Sequence, residues 1–586
     1  LSEKQLKKIE SSCLPKIISK CGYNRNTSRA VIGGPADLTG GGIIPLVAVT
    51  GAGEVLHFVK NWRTPNEDIG KVLRVVYAWC QYQAGVSFPL LEHPEESITY
   101  LQGKVIPSLR EYLKKIDGKL TLDRTYIRKK LRINDIAIMD VVRTLGLTIV
   151  QEHRINCVRL FLGVMYFSEI CTIDGTTIRR GITTGRNDNE EYVLTLKKAI
   201  QHRPNSRSWE LWTRAITSIT SDGMILNEPL GEWTVNHSTS GKWNAYQQNR
   251  LVYQSHLQQN GNRQWKQYKR RGSLLMPHDM MDYNDFDPST GVPIEIKTYP
   301  GGLTTRSLPC KVKLDKTSRQ QYGPAECWDS FIKYQPKWIR TFLEEVHFYT
   351  DDGYQNIDEI LILHDKFGHL LSVSDGSVKF HNMSFGWIIA TPDGRRLAAG
   401  CGPCQGRGNS LRSEGAGMLA ATLFMALISH HLKHEIKAKC ISDNKELIRR
   451  LTEHKQYDEP YPNATLASEY DIIEEIYETC KIYNLSTSYH WVRGHQDRTT
   501  AYDDLSLEAQ LNVDADWYAG KYQDESGKYL PRCNILPACP AMLSIRDISI
   551  TSDYKNQLIR AYTEPRYIEY LQNRFGWSDT IIGTIA

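Results

Sequence analysis

At 586 residues the chain has room for three or four domains, each able to close its own core. A hydrophobic content of 41% and a charged content of 24% are ordinary for soluble globular protein, and the net charge of +6 permits a nucleic-acid partner without demanding one. The longest apolar helical run, Met418–Ile428, is too short to span a bilayer, no Gly-x-x-x-x-Gly-Lys-Ser/Thr pattern supports phosphate-loop chemistry, and no membrane partner is expected.

Thirteen cysteines scattered without a secretory leader argue for reduced thiols inside a cell, in the nucleus or cytoplasm. The chain begins at Leu1 and not at Met, which reads as a fragment of a longer polypeptide. Cys401-Gly-Pro-Cys404 has the spacing of a redox pair but follows a strand and precedes a loop. A reactive thiolate wants a helix N-terminus there, so redox or zinc chemistry is disfavoured.

In chain order, residues 1–70 read as an irregular, Gly-rich lead-in, punctuated by Gly33-Gly-Pro35 and Gly40-Gly-Gly42. Helical stripes then appear: Val55, Phe58, Val59 and Trp62, next Val72, Val75, Val76 and Trp79, and then Leu101–Ile116. Lys104 to Arg132 is basic, either a solvated helix face or a surface that tracks phosphates. Residues 71–200 form the helical region of this reading. The segments Gly70-Lys-Val-Leu-Arg74, Trp79-Cys-Gln-Tyr-Gln-Ala-Gly85, Gly103-Lys-Val-Ile-Pro-Ser-Leu-Arg110 and Arg154-Ile-Asn-Cys-Val-Arg-Leu-Phe-Leu162 resemble the part of eukaryotic retrotransposon polyproteins that follows the polymerase palm. The resemblance covers residues 20–175 and implies a thumb-like and connecting role.

Residues 201–368 read as an aromatic, turn-rich connection. Trp209, Trp212, Trp233, Trp243 and Trp265 lie among polar residues, and Arg263–Arg271 interleaves bases with rings. Such a stretch either stacks nucleobases or is a strand with its rings packed beneath. Residues 274–308, rich in Pro and Gly, read as linker-like. Tyr349-Thr-Asp-Asp352 imitates a polymerase palm doublet, but an amphipathic helix over Trp338–Val346 precedes it instead of a palm.

From residue 370 the pattern changes to strands at 370–380, 384–390 and 396–400, an apolar helix at 413–431, and a strand at 439–442. Helices at 444–453 and 465–481, a strand at 487–492 and a helix at 506–520 complete it. Four carboxylates fall at element junctions: Asp375 in Asp-Gly-Ser377, Glu414 at a helix start, Asp443 after a strand and Asp516 in the last helix, with Asp514 as a rival. Converging carboxylates suit hard divalent cations, and a pair of these can clamp a phosphodiester.

This order, with Trp491-Val-Arg-Gly-His495 and with Asn512 four residues before Asp516, resembles a type 1 ribonuclease H domain over residues 369–522. The implied fold is α/β, a ribonuclease H-like mixed five-stranded sheet with flanking helices, preceded by a mostly helical thumb/connection-like region. Residues 523–586 would be a C-terminal tail with short helices, Tyr554–Ala561 and Pro565–Phe575. The resemblance implies two Mg²⁺ ions, with Mn²⁺ as the alternative. Asp375 would bridge them, Glu414 and Asp443 would hold the one near the attacking water, and Asp516 the other. His495 would move a proton or help product leave. The implied substrate is an RNA/DNA hybrid, and the implied partner is the polymerase part of the same polyprotein. The loop from His495 to Asn512 is longer than in compact family members and leaves the placement of His495 open.

Overall fold

The computed structural model describes residues 3–171 (without 129 and 131), 175–184 (without 179), 202–231, the strands between 245 and 306, 328, 332, 335–349, 357–454 (without 433) and 460–585. They divide into two units. One is made of Leu1–Val76, Ser108–Arg124 and Gln321–Ala586, the other of Tyr77–Pro107 and Thr125–Gln320. These limits differ from the linear division at residues 70, 200, 368 and 522.

The first seventy residues are largely helical, not irregular. Glu3–Lys20 buries Leu6, Leu14 and Ile18, and Leu46–Trp62 buries Val55, Phe58, Val59 and Trp62 on the stripe expected there. The next stripe is displaced. In Asp68–Ala84, Val72 and Val75 are exposed while Leu73, Tyr77, Cys80 and Ala84 are buried.

The C-terminal residues fold with this N-terminal part. Gly118–Leu122 pairs antiparallel with Ala541–Ile545, which in turn pairs with Ile548–Ile550. Arg63, itself buried, donates from Nε and Nη2 to the Ala541 carbonyl at 3.0 and 2.9 Å. The two short C-terminal helices expected on either side of Pro565 are one helix, Tyr554–Phe575. Proline removes one helical hydrogen bond, but Leu558, Ile559, Tyr562, Tyr567 and Leu571 are buried along the whole length and hold both halves in line.

The basic run is mostly occupied within its own surroundings. Arg110 and Arg132 are buried. Lys115 pairs with Glu3 and Glu111, Lys119 with Asp547, and Arg128 with Glu169. Lys129 lies outside the described residues.

The second unit contains helices Ile138–Thr144, Ile149–Leu162 and Ser206–Thr217, the last burying Trp209 and Trp212. The region read as a turn-rich connection forms a closed six-stranded barrel, so the lead-in to residues 369–522 is not mostly helical. Around the barrel the strands run Ala245–Gln248, Leu251–Leu257, Arg263–Arg271, Leu274–Pro277, Gly302–Arg306 and Val292–Tyr299. Closure pairs every edge, which is how short strands punctuated by Pro and Gly become stable. Trp265 is buried, as the packed-ring reading expected; Trp233 and Trp243 lie outside the described residues.

The sheet around which the four carboxylates are placed is mixed. Its elements in chain order are β1 (Glu345–Phe348), α1 (Ile357–Phe367), β2 (Leu370–Lys379), β3 (Asn382–Ala390), β4 (Arg396–Cys404), α2 (Ser410–Leu432), β5 (Lys437–Ser442), α3 (Lys445–His454), α4 (Tyr470–Ile482), β6 (Ser486–Trp491) and α5 (Leu507–Ser526). The strand order is β6-β5-β2-β3-β4-β1, six strands where five were expected. β2, β3 and β4 are antiparallel, and β5 and β6 extend them in parallel. The sixth strand, β1, pairs antiparallel with β4; of the helix expected over Trp338–Val346, the structure is helical through Phe342, and the last two residues, Glu345 and Val346, belong to β1 instead.

Alternation along β2 sets the two layers. Leu371 and Val373 face α5 together with Ile388, Ile441, Leu511 and Ala515. Leu370 on β2 and the β3 residues Phe385 and Trp387 face α2, with Leu419 and Phe424. By length and apolarity alone α2 could cross a membrane, but its apolar window is 94% buried within the protein, against this sheet.

Arg412 on α2 is buried and bidentate to Asp471, Nη1 and Nη2 lying 3.0 and 2.9 Å from Oδ1 and Oδ2, and its Nη1 lies 2.7 Å from Glu469 Oε2. Arg412→Met would leave two buried carboxylates unpaired. Urea denaturation is expected to show a loss of about 3–5 kcal/mol.

Candidate active site

Strand register brings the first two carboxylates together. Cys440 and Ile441 on β5 lie opposite Ser372 and Val373 on β2, so Asp443, two residues further, stands beside Asp375. Asp375 shares its face of β2 with Leu371 and Val373, beneath α5. Glu414 lies one turn into α2. The oxygens of Asp375, Glu414 and Asp443 all fall within 4.8 Å of one another.

Two glycines allow this approach. A Cβ at Gly376 would come within 2.5 Å of the Glu414 nitrogen, so the start of α2 rests directly on β2. A Cβ at Gly386, the cross-strand partner of Asp375, would come within 2.2 Å of the Ala515 carbonyl, which lets α5 bring Asp516 down to the sheet.

Asp375 and Glu414 are both about 95% buried. Asp375 Oδ1 accepts from the Gly376 N–H at 2.7 Å, and Oδ2 from Asn512 Nδ2 at 3.2 Å. Glu414 Oε2 accepts from Ser442 Oγ at 3.2 Å. Burial, and then the charges of Asp443 and Asp516, push the Asp375 carboxyl up to about 8. Burial and the charges of Asp375 and Asp443 raise Glu414 well above the usual range. Asp516 is raised too, chiefly by burial.

A buried all-oxygen donor set whose members hold protons against their nature fits a hard divalent cation, which would replace the protons as counter-charge. Gly376→Ala would push α2 off the strand. It is expected to lower stability by about 1–3 kcal/mol in urea denaturation and to weaken Mg²⁺ binding in calorimetry.

Asp516 is half-exposed on α5, outside the tight three-carboxylate cluster, and its Oδ2 lies 3.8 Å from His495 Nδ1. The rival Asp514 is engaged elsewhere. Arg396 Nε and Nη2 donate to its Oδ2 at 3.1 and 3.0 Å, and the Tyr502 hydroxyl donates to its Oδ1 at 2.7 Å. Tyr502 sits in the long loop after His495, so this contact anchors the loop to α5. His495 itself is half-exposed with φ at 50°.

Gly376 stands in the Asp-Gly-Ser377 motif and Ser442 directly precedes Asp443, but their contacts with Glu414 were not legible from sequence. Gly386 flanks no acid in sequence, and only strand pairing sets it opposite Asp375.

Other motifs resolve as structure. Cys401 and Cys404 are buried on β4, and burial pushes the Cys401 thiol up to about 12, the reverse of an activated nucleophile. His364, Asp365 and His434 also cluster. His364 Nε2 accepts from the Lys437 N–H at 2.9 Å, so Nδ1 carries the proton and donates to Asp365 at 3.0 Å. No lone pair on that ring is left for a metal. Of the Tyr-x-Asp-Asp stretch, Tyr349 continues past β1, its N–H donating to the Leu397 carbonyl, while residues 350–352 lie outside the described residues.

No protein-family model matches this chain, and no curated protein matches it. Among solved structures it is similar to ribonuclease H1 from the halophilic archaeon Halobacterium salinarum, at 17% identity and a TM-score of 0.20, over 27% of this chain and 100% of that one. A second is the N-terminal ribonuclease H domain of a Mycobacterium tuberculosis protein, at 16% identity and a TM-score of 0.19, over 27% and 94%. A third is LC11-RNase H1 in complex with an RNA/DNA hybrid, at 11% identity and a TM-score of 0.20, over 27% and 98%.

Proposed function

We propose that residues 369–522 are a metal-dependent endonuclease of the type 1 ribonuclease H kind, which hydrolyses the RNA strand of RNA/DNA hybrids. The observation that carries this reading is the convergence of Asp375, Glu414 and Asp443 within 4.8 Å at the junction of β2, α2 and β5. Their order along the chain, followed by His495 and Asp516, is that of the family the sequence resembles. An integrase-like acidic triad would place its glutamate last, whereas Glu414 comes second here.

Asp375, Glu414, Asp443 and Asp516 would hold Mg²⁺, two ions, or Mn²⁺ in its place. When bound, the metal supplies charge neutralisation for the phosphodiester and a water of lowered pKa. Asn512 and the Gly376 N–H orient the Asp375 carboxylate, and Ser442 orients Glu414. His495, beside Asp516, accepts or returns a proton at the rim, where its half-exposed ring reaches solvent. The RNA strand would be told from DNA by its 2′-OH groups across the shallow minor groove.

The wider setting we propose is a retrotransposon-type polyprotein acting inside the cell, in nucleus or cytoplasm, with its polymerase part as partner. The segments between Gly70 and Leu162 support the first element and the free thiols of the eleven described cysteines the second. The test is incubation of the chain with a strand-labelled hybrid, with and without Mg²⁺. Loss of the RNA strand only with metal is the expected result. A hybrid that is bound but left intact in both would make the domain a nucleic-acid-binding remnant.

A further inference from the structure

The pairing of β5 with β6 ends where Ser442 lies opposite Trp491, and the Val492 N–H donates the last main-chain bond to the Ser442 carbonyl at 3.2 Å. Asp443 has left the ladder, so its own carbonyl has no strand partner. Trp491 provides one. Its indole Nε1–H donates to the Asp443 carbonyl at 2.7 Å, although the residue is 45% exposed and could give that proton to water. The other face of the connection is equally confined. A Cβ at Gly494 would come within 2.0 Å of Asp443 Oδ2, so the chain after Trp491 runs directly over the carboxylate. Beyond Asp443 the chain is tied again. The Asn444 N–H donates to Ser442 Oγ at 3.1 Å, and Asn444 Oδ1 caps α3 by accepting from the Leu447 N–H at 3.0 Å. The Lys445 ammonium rests 4.3 Å from the centre of the Trp491 ring and keeps the indole from swinging away.

We infer that Trp491 is a positioning residue for the cation site: its indole N–H, through the Asp443 carbonyl, fixes where the Asp443 carboxylate stands relative to Asp375 and Glu414. This rests on the metal reading above. A half-exposed tryptophan at the end of an edge strand contributes little to the core, so its benefit lies in the geometry of the neighbouring acid. Such a residue acts on metal affinity and not on contact with nucleic acid.

The test uses the full chain and two readouts. Calorimetric titration with Mg²⁺ in the absence of nucleic acid is expected to show Trp491→Phe, which keeps a ring and loses the donor, binding about three- to tenfold more weakly than wild type, the loss of one hydrogen bond. Trp491→His, which keeps a ring N–H, is expected to recover part of that loss. An unchanged thermal melt in chelator checks that each variant is folded. In cleavage assays Trp491→Phe should need more Mg²⁺ for half-maximal rate, approach the wild-type kcat at saturating Mg²⁺, and keep the wild-type KM for hybrid. An unchanged Mg²⁺ affinity in Trp491→Phe, equal losses in the Phe and His variants, or a raised KM at every Mg²⁺ concentration would each overturn the inference. Wild type that binds Mg²⁺ but leaves hybrid intact would sink the nuclease reading alone, because calorimetry still decides the role of Trp491. Wild type that binds no Mg²⁺ would sink both.

Discussion

Asp443→Asn is expected to reduce Mg²⁺-dependent cleavage of an RNA/DNA hybrid by about a thousandfold or more, several kcal/mol of lost transition-state stabilisation, and at the same time to raise the melting temperature of the metal-free chain. The two effects share one cause. Asp443 stands beside Asp375 and contributes to the elevation of both Asp375 and Glu414. Its charge repels those neighbours when no cation is present and is needed when one is bound. Asparagine keeps the size and the Asp443 main chain, so the carbonyl contact to Trp491 survives. Cleavage is read with a labelled hybrid at saturating Mg²⁺, and stability by a thermal melt in chelator. Wild-type cleavage by the variant would remove Asp443 from the site. A lower apo melting temperature would mean that its side chain does structural work that the repulsion argument omits.

The second large effect is on the pH dependence of stability. Burial and the charges of Asp443 and Asp516 push the Asp375 carboxyl up to about 8 in the folded chain, against the ordinary carboxylate range of about 4 in the unfolded one. A carboxyl whose folded pKa is raised leaves the folded state holding more protons than the unfolded one between those values, so stability must fall as pH rises through them. The contribution is fully present below about pH 4 and lost by about pH 8, and it is on the order of a few kcal/mol. Glu414 is shifted in the same direction, chiefly by burial, and adds to the fall. The expected result is a metal-free melting temperature that declines from pH 5 to pH 8 more steeply in wild type than in Asp375→Asn. Saturating Mg²⁺ should abolish the difference by supplying the counter-charge that protons supply at low pH. Parallel pH profiles in chelator for wild type and Asp375→Asn would show that Asp375 ionises normally, and that the buried cluster is not under electrostatic strain.

The elements of residues 369–522 were legible from sequence because their signals are local. Period-two alternation in Leu370–Lys379 and Asn382–Ala390, the Thr391-Pro-Asp-Gly394 turn and the apolar run of α2 each depend on neighbours a few residues away. The four acids were found for the same reason, since each lies in or beside an element with such a local signal: Asp375 within β2, Glu414 in the first turns of α2, Asp443 just after β5 and Asp516 within α5. Where local pattern did not decide, tertiary contact did. Asp514 and Asp516 lie on one helix two residues apart, and it is Arg396, on a strand more than a hundred residues earlier, together with Tyr502 that takes Asp514 out of contention. β1 is four residues, Glu-Val-His-Phe, too short and polar to read as a strand; the free edge of β4 makes it one. The glycines of residues 1–70 suggested irregular chain, yet helices form there because they bury faces against C-terminal residues, with Arg63 satisfied by the carbonyl of Ala541. Residues 274–308 looked like linker because their strands are short and carry Pro or Gly, and ring closure with the strands before them gives every edge a partner. Hydrophobic period and turn chemistry act within one element, whereas a buried charge, a free strand edge or a helix face finds its partner only when distant parts of the chain meet.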